Sequence, residues 1–122
     1  MVSVAVPAGN ESAKGATVSL QHVVLLAFPE KLGSEDEVEM RRRVAEWPES
    51  IGGISALRLG SPLSADYAQG FQYLLFIELD DEAALQHYLG HKDHVAFGGW
   101  IMERSCKPLV FDYVLDDSTV IR

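Results

Sequence analysis

Three of the four histidines of this chain fall within eight residues, together with a tyrosine: His87, Tyr88, His91 and His94, in the run QHYLGHKDHVAF at 86–97. Histidine is the side chain that titrates nearest physiological pH, and a phenol beside it is a ready hydrogen-bond donor. Such a cluster suits proton transfer or a metal. The metal reading is the weaker of the two. His87, His91 and His94 are spaced i, i+4, i+7 and would share a face only on an unbroken helix, which Gly90 interrupts. Asp93 could add an oxygen ligand, but zinc needs three or four ligands in tetrahedral array. No metal is therefore expected. The fourth histidine, His22, sits in an apolar run. The single cysteine, Cys106, has no basic neighbour and reads as packing.

Strand and helix signals place these residues. The run LQHVVLLAF (20–28) reads as a strand closed by Pro29 and Gly33. Ser34 to Glu37 reads as a capping box opening a helix to about Glu46, with Val38, Met40, Val44, Ala45 and Trp47 as its apolar stripe. Pro48 ends it and Gly52-Gly53 turn the chain. Residues 54–60 and 71–79 read as strands around a loop at 61–70. Asp80 or Asp81 caps a helix over 82–89, stopped by Gly90. A second helical piece over 91–104 follows, with His91 capping or beginning it; Gly98-Gly99 loosen it, and could either let a ligand approach the backbone closely or simply bend the helix. Residues 107–115 form the last strand. The order strand, helix, strand, strand, helix, strand predicts an α+β, ferredoxin-like (βαββαβ) fold: a four-stranded antiparallel sheet with helices on one face. Residues 19–116 make the domain, 1–18 a flexible N-terminal extension and 117–122 a C-terminal tail. Alternating Val2, Val4 and Val6 leave room for a short added strand.

With 122 residues there is one domain and one core. A formal charge of −8 argues against nucleic acid and against an anionic membrane surface as partner. Arg41-Arg42-Arg43 lies among glutamates and reads as a salt-bridged helix face. One cysteine excludes a disulfide within the chain and fits the cytoplasm. No run suggests a signal peptide or a membrane span.

The strands are apolar on both faces. Tyr73, Leu75 and Ile77 oppose Leu74 and Phe76. Val24 and Leu26 oppose Val23 and Leu25. Val110 and Val114 oppose Leu109, Phe111 and Tyr113. Helices cover one face only, so the other predicts a homodimer packed sheet on sheet, a dimeric α/β barrel.

Several segments resemble the stress-responsive α/β-barrel (Dabb) family in the right order: Gln21-His22-Val23-Val24-Leu25, Gly70-Phe71-Gln72-Tyr73, Tyr88 to Phe97, and Phe111-Asp112-Tyr113. The third resembles the family's Tyr-x-x-His-Pro-x-His-x-x-Phe signature, with Lys92 where proline is usual. The resemblance spans roughly residues 20–115. It implies the dimeric ferredoxin-like fold and a pocket for a small apolar molecule between sheet and helices. His22, Val24, Leu26, Leu75, Ile77, Val110 and Asp112 share the helix-facing strand phase under the family register. Met40, Val44, Leu85, Phe97 and Trp100 would line the opposite wall.

The olivetolic acid cyclase type of polyketide cyclase within that family implies roles for these positions. His94 is the base and Tyr88 the donor to a carbonyl oxygen. Asp112 orients His94, and His22 positions substrate. Such chemistry needs no cofactor, because the substrate carbonyl is the electron sink. Three other readings fit the same residues: ligand binding without chemistry, a structural His–Asp pair in a stress or interaction protein, and a cofactor-free monooxygenase on the same dimeric fold.

Overall fold

A computed structural model describes residues 18–121. The extension expected over 1–18, with its valine alternation, lies outside these residues save for Val18. The elements are β1 (Ser19–Ala27), α1 (Ser34–Ala45), α2 (Trp47–Ser50), β2 (Ile54–Gly60), β3 (Tyr73–Leu79), α3 (Glu82–Gly90), α4 (Lys92–Glu103) and β4 (Lys107–Leu115). The four strands form one antiparallel sheet in the order β2-β3-β1-β4. The fold is the expected ferredoxin-like α+β arrangement.

Side-chain alternation decides which face is covered. Leu20, His22, Val24 and Leu26 of β1 and Tyr73, Leu75, Ile77 and Leu79 of β3 point to the helices and are buried. With Met40, Val44, Trp47, Leu85, Tyr88, Phe97, Trp100 and Ile101 they make the core. The opposite phase leaves Leu74, Leu109, Phe111 and Tyr113 exposed. Edge strand β4 reaches beyond the helix layer, and Val110 and Val114 are exposed on its helix side as well.

The structure departs from the sequence reading at several points. Ser34 does not cap α1; Gly33 occupies the cap position without a side-chain bond. Glu37, expected to complete the box, instead accepts a hydrogen bond from the Tyr73 hydroxyl at 2.9 Å. Val38 and Ala45 are exposed, so the buried stripe is Met40, Val44 and Trp47. Pro48 opens a second short helix, α2, where proline's missing N–H costs nothing. Phe71 and Gln72 precede β3, because the Gln72 amide takes the place of a ladder step and bonds both the Phe28 N–H (2.7 Å) and C=O (3.0 Å). Gly98-Gly99 leave α4 unbroken. The tail begins with a capped 3-10 turn, Asp117–Thr119.

Gly53 is required at its turn. Its φ of +94° is left-handed, and a Cβ there would lie 2.7 Å from Ala84 Cβ. The arginine run forms the expected salt-bridged face: Arg42 and Arg43 both bind Glu39.

Candidate active site

One residue joins α3 to α4. His91 has extended backbone (φ −69°, ψ 140°), ends α3, and caps α4 by accepting the Asp93 N–H at its Nδ1 (3.1 Å). Lys92 takes the first helical position, where proline would also fit. The sharp corner turns the last turn of α3 against the first turn of α4. Tyr88 and His94 thereby meet with ring centroids 4.4 Å apart. The same corner separates the histidines: His87 is exposed on α3 and shares no helix face with His94. Among the described residues, no group of three metal-ligating side chains is poised to hold an ion.

His94 Nδ1 lies 3.1 Å from the Leu89 carbonyl oxygen. A carbonyl can only accept, so Nδ1 carries the proton and Nε2 keeps its lone pair. Burial holds the imidazole below its ordinary pKa, opposed by the Leu89 bond and joined by nearby His22.

Asp112 was expected to orient His94, but it pairs with His22. Its Oδ1 lies 2.5 Å from His22 Nδ1. The reason is strand register. His22 and Asp112 are direct cross-strand partners between β1 and β4, and the shared face brings their side chains together. The pairing leaves His22 Nε2 without that proton, oriented by a carboxylate.

Tyr88 is 1% exposed and packs edge-on against Trp47 and His22, at 5.5 and 5.3 Å between centroids. Its hydroxyl has no hydrogen-bond partner among the described residues. Burial, and then the Asp112 carboxylate, push the phenol well above its ordinary pKa, so it remains a donor.

These four side chains line a cavity of about 370 Å³ between sheet and α4. Val24, Leu26, Leu75, Phe97 and Val110 line it as expected. Met40, Val44, Ile77 and Leu85 do not. They are buried in the core, because the α1 and α3 contacts with the central strands close up completely. Gly98, one of the two glycines that could let a ligand approach the backbone, is on the wall, and so are Leu89, Ile101, Met102 and Pro108, which the sequence did not single out. A signal was present: His94, Phe97, Gly98, Ile101 and Met102 recur at i, i+3, i+4, i+7, i+8, one helix face. Trp100 lies beyond the wall, stacked on Phe97 and covered by the Arg104 guanidinium at 3.9 Å. Among the described residues, the lining contains no lysine or arginine.

The fold and cavity together define a small ferredoxin-like domain in which two imidazoles, a phenol and a carboxylate line one cavity between sheet and helices. A family model described as the stress responsive A/B barrel domain, Dabb, matches residues 20–115, and the chain belongs to that family. Solved structures share the fold at low identity. Hydroxynitrile lyase from Passiflora edulis superposes with a TM-score of 0.73 at 13% identity, over 84% of this chain and 97% of that one. A hypothetical Arabidopsis thaliana protein gives 0.71 at 23%, over 89% and 96%. A protein of unknown function from Bacteroides fragilis, described as dimeric and ferredoxin-like, gives 0.68 at 19%, over 84% and 100%. No curated protein matches the chain in sequence. No helix among the described residues is long and apolar enough to cross a membrane.

Proposed function

We propose that this protein is a cofactor-independent acid–base enzyme acting on a small carbonyl compound, of the olivetolic acid cyclase type. The observation that carries the reading is the Tyr88 hydroxyl, buried and without a hydrogen-bond partner among the described residues, beside two imidazoles in an apolar cavity. A buried donor left unpaired costs stability unless something else uses it, and a substrate carbonyl is the natural acceptor.

In this reading an imidazole Nε2 removes a proton from the carbon next to a carbonyl. The electron pair moves onto the carbonyl oxygen, which Tyr88 stabilises as an enolate. The enolate carbon attacks a second carbonyl of the same chain, and the proton returns to the oxygen so formed. His94 is neutral and available as the base. The His22–Asp112 pair supplies a second imidazole, oriented by the carboxylate, to position substrate or relay the proton. No residue of this scheme requires a cofactor. That a Passiflora relative of the same fold is named a hydroxynitrile lyase agrees with lyase chemistry on this scaffold.

The same reading places the protein in the cytoplasm as a homodimer through the open sheet face, where Leu74, Leu109, Phe111 and Tyr113 need cover. A non-catalytic binding protein is the second reading. The short His22–Asp112 contact favours it, because that pair also ties β4 to β1.

The test is incubation with linear poly-β-ketones and detection of cyclised product by mass, for wild type, His94→Ala and Tyr88→Phe. Product that disappears in both folded variants supports the enzyme. Wild-type protein that binds these compounds without converting them supports the second reading. Oxygen consumption would point to a monooxygenase instead.

A further inference from the structure

We propose that Gly98 sets the bulk of the ligand this cavity accepts, and that the ligand is an uncharged carbonyl compound with an apolar chain. The inference rests on the reading of the cavity as a ligand site and adds its specificity.

Glycine is a poor residue for a helix interior, so a glycine there needs a reason. Neither backbone nor packing supplies one at Gly98. The described glycines with positive φ are Gly53 and Gly70, so Gly98 has helical dihedrals that any residue adopts. A Cβ built on it meets no heavy atom within 4 Å. Yet Gly98 is half-buried and lies in the cavity wall, one turn after His94 and one turn before Met102. The space its missing side chain leaves is cavity space. Gly99 is the internal control. It follows directly, sits in the same helix and has equally open surroundings, but it is exposed and off the wall.

The wall also fixes ligand charge. Its polar groups are His22, Tyr88, His94 and Asp112, gathered at one place. Val24, Leu26, Leu75, Phe97, Ile101, Met102, Pro108 and Val110 make up most of the rest. A ligand carboxylate would lose its water, find no lysine or arginine among the described lining residues, and face Asp112. A ketone or aldehyde oxygen meets the Tyr88 hydroxyl and loses far less. An alkyl chain on it lies along Phe97, Ile101 and Met102, past Gly98.

The experiment uses full-length protein and a series of straight-chain 2,4-alkanediones of increasing length, with alkanoic acids of matching length. Binding is read by calorimetry for wild type, Gly98→Ala, Gly98→Leu, Gly99→Ala and Gly99→Leu, and thermal midpoints are recorded alongside. The expected result has two parts. Wild type binds diketones and rejects the acids, and Gly98→Leu weakens the long diketones by about tenfold or more while sparing the short ones, the scale of a methylene misfit in a pocket. Gly98→Ala and Gly99→Ala both raise the midpoint, and only the former shifts the length profile. If Gly98→Leu fails to fold, Gly98→Ala carries the test.

Diketone binding with the same length profile in the Gly98 and Gly99 variants overturns the role of Gly98 and leaves the ligand site standing. Acids binding as tightly as diketones overturn the charge assignment. Binding of neither series by wild type overturns both the inference and the ligand site it rests on.

Discussion

Replacing Tyr88 with phenylalanine deletes one oxygen and leaves the ring. The packing survives, since the edge-on contacts with Trp47 and His22 use the ring itself. Only the hydroxyl is tested. In the free protein that hydroxyl is buried without a described partner, a state that costs about 1–3 kcal/mol when nothing else satisfies it. Its removal should therefore leave stability unchanged, if water in the cavity serves it, or raise stability by up to about 3 kcal/mol. On the thermal scale of small domains this is an upward shift of zero to roughly 10 °C. Turnover should move the other way. Loss of one donor to a developing oxyanion costs about 10²–10³ in kcat, or about 2.7–4 kcal/mol of transition-state stabilisation. Calorimetric melting and product formation from a linear poly-β-ketone, measured on the same preparation, read both signs together. A variant destabilised by more than about 1 kcal/mol with turnover intact would refute the reasoning, because the hydroxyl would then be a structural partner.

Three further outcomes follow from the geometry. Asp112→Asn should lower turnover by about 10²–10⁴ by freeing the His22 tautomer, at a stability cost of about 1–3 kcal/mol; steady-state kinetics and urea melts check it, and unchanged kinetics would assign the pair to structure alone. Phe76→Glu places a charge in the middle of the open sheet face and should convert a dimer to monomers in sedimentation velocity. The third concerns His94, whose folded pKa lies below the ordinary value of about 6.5. Below that value the unfolded chain takes up the proton first, so His94 stabilises the fold above about pH 6.5 and withdraws that support as pH falls toward the folded pKa. Urea stability measured from about pH 7.5 to about pH 5 should fall less steeply in His94→Gln than in wild type, and equal slopes would show that the imidazole is not desolvated.

Much of the fold is legible in the chain because its signals are local. Period-two alternation in 20–28 and 71–79 marks strands that must bury a face. Asp81 caps α3, and the bond from the Ala84 N–H to its carboxylate is set within three residues. Gly90 and His91 mark the corner between α3 and α4. The signals that failed were those where a distant group competed. Glu37 could have closed a capping box, but the Tyr73 hydroxyl from another element claimed it. The Gln72 amide replaced a strand residue because Phe28 lay opposite. Gly98-Gly99 read as a loosening of the last helix, yet packing of Phe97 and Ile101 holds it regular across them.

The candidate site divides along the same line. Residue type, strand phase and the tyrosine–histidine spacing are properties of the chain itself. They single out Tyr88 and His94; the resemblance to the Dabb family adds His22 and Asp112, on the helix-facing strand phase under the family register. Which imidazole meets the carboxylate is a property of register between β1 and β4, strands ninety residues apart in sequence at the His22–Asp112 pair. Which apolar residues border open space, as Gly98 and Met102 do, and which vanish into the core, as Met40 and Ile77 do, depends on how closely the helices settle on the sheet. That distance is the sum of many packing contacts, and a local pattern of residues does not contain it.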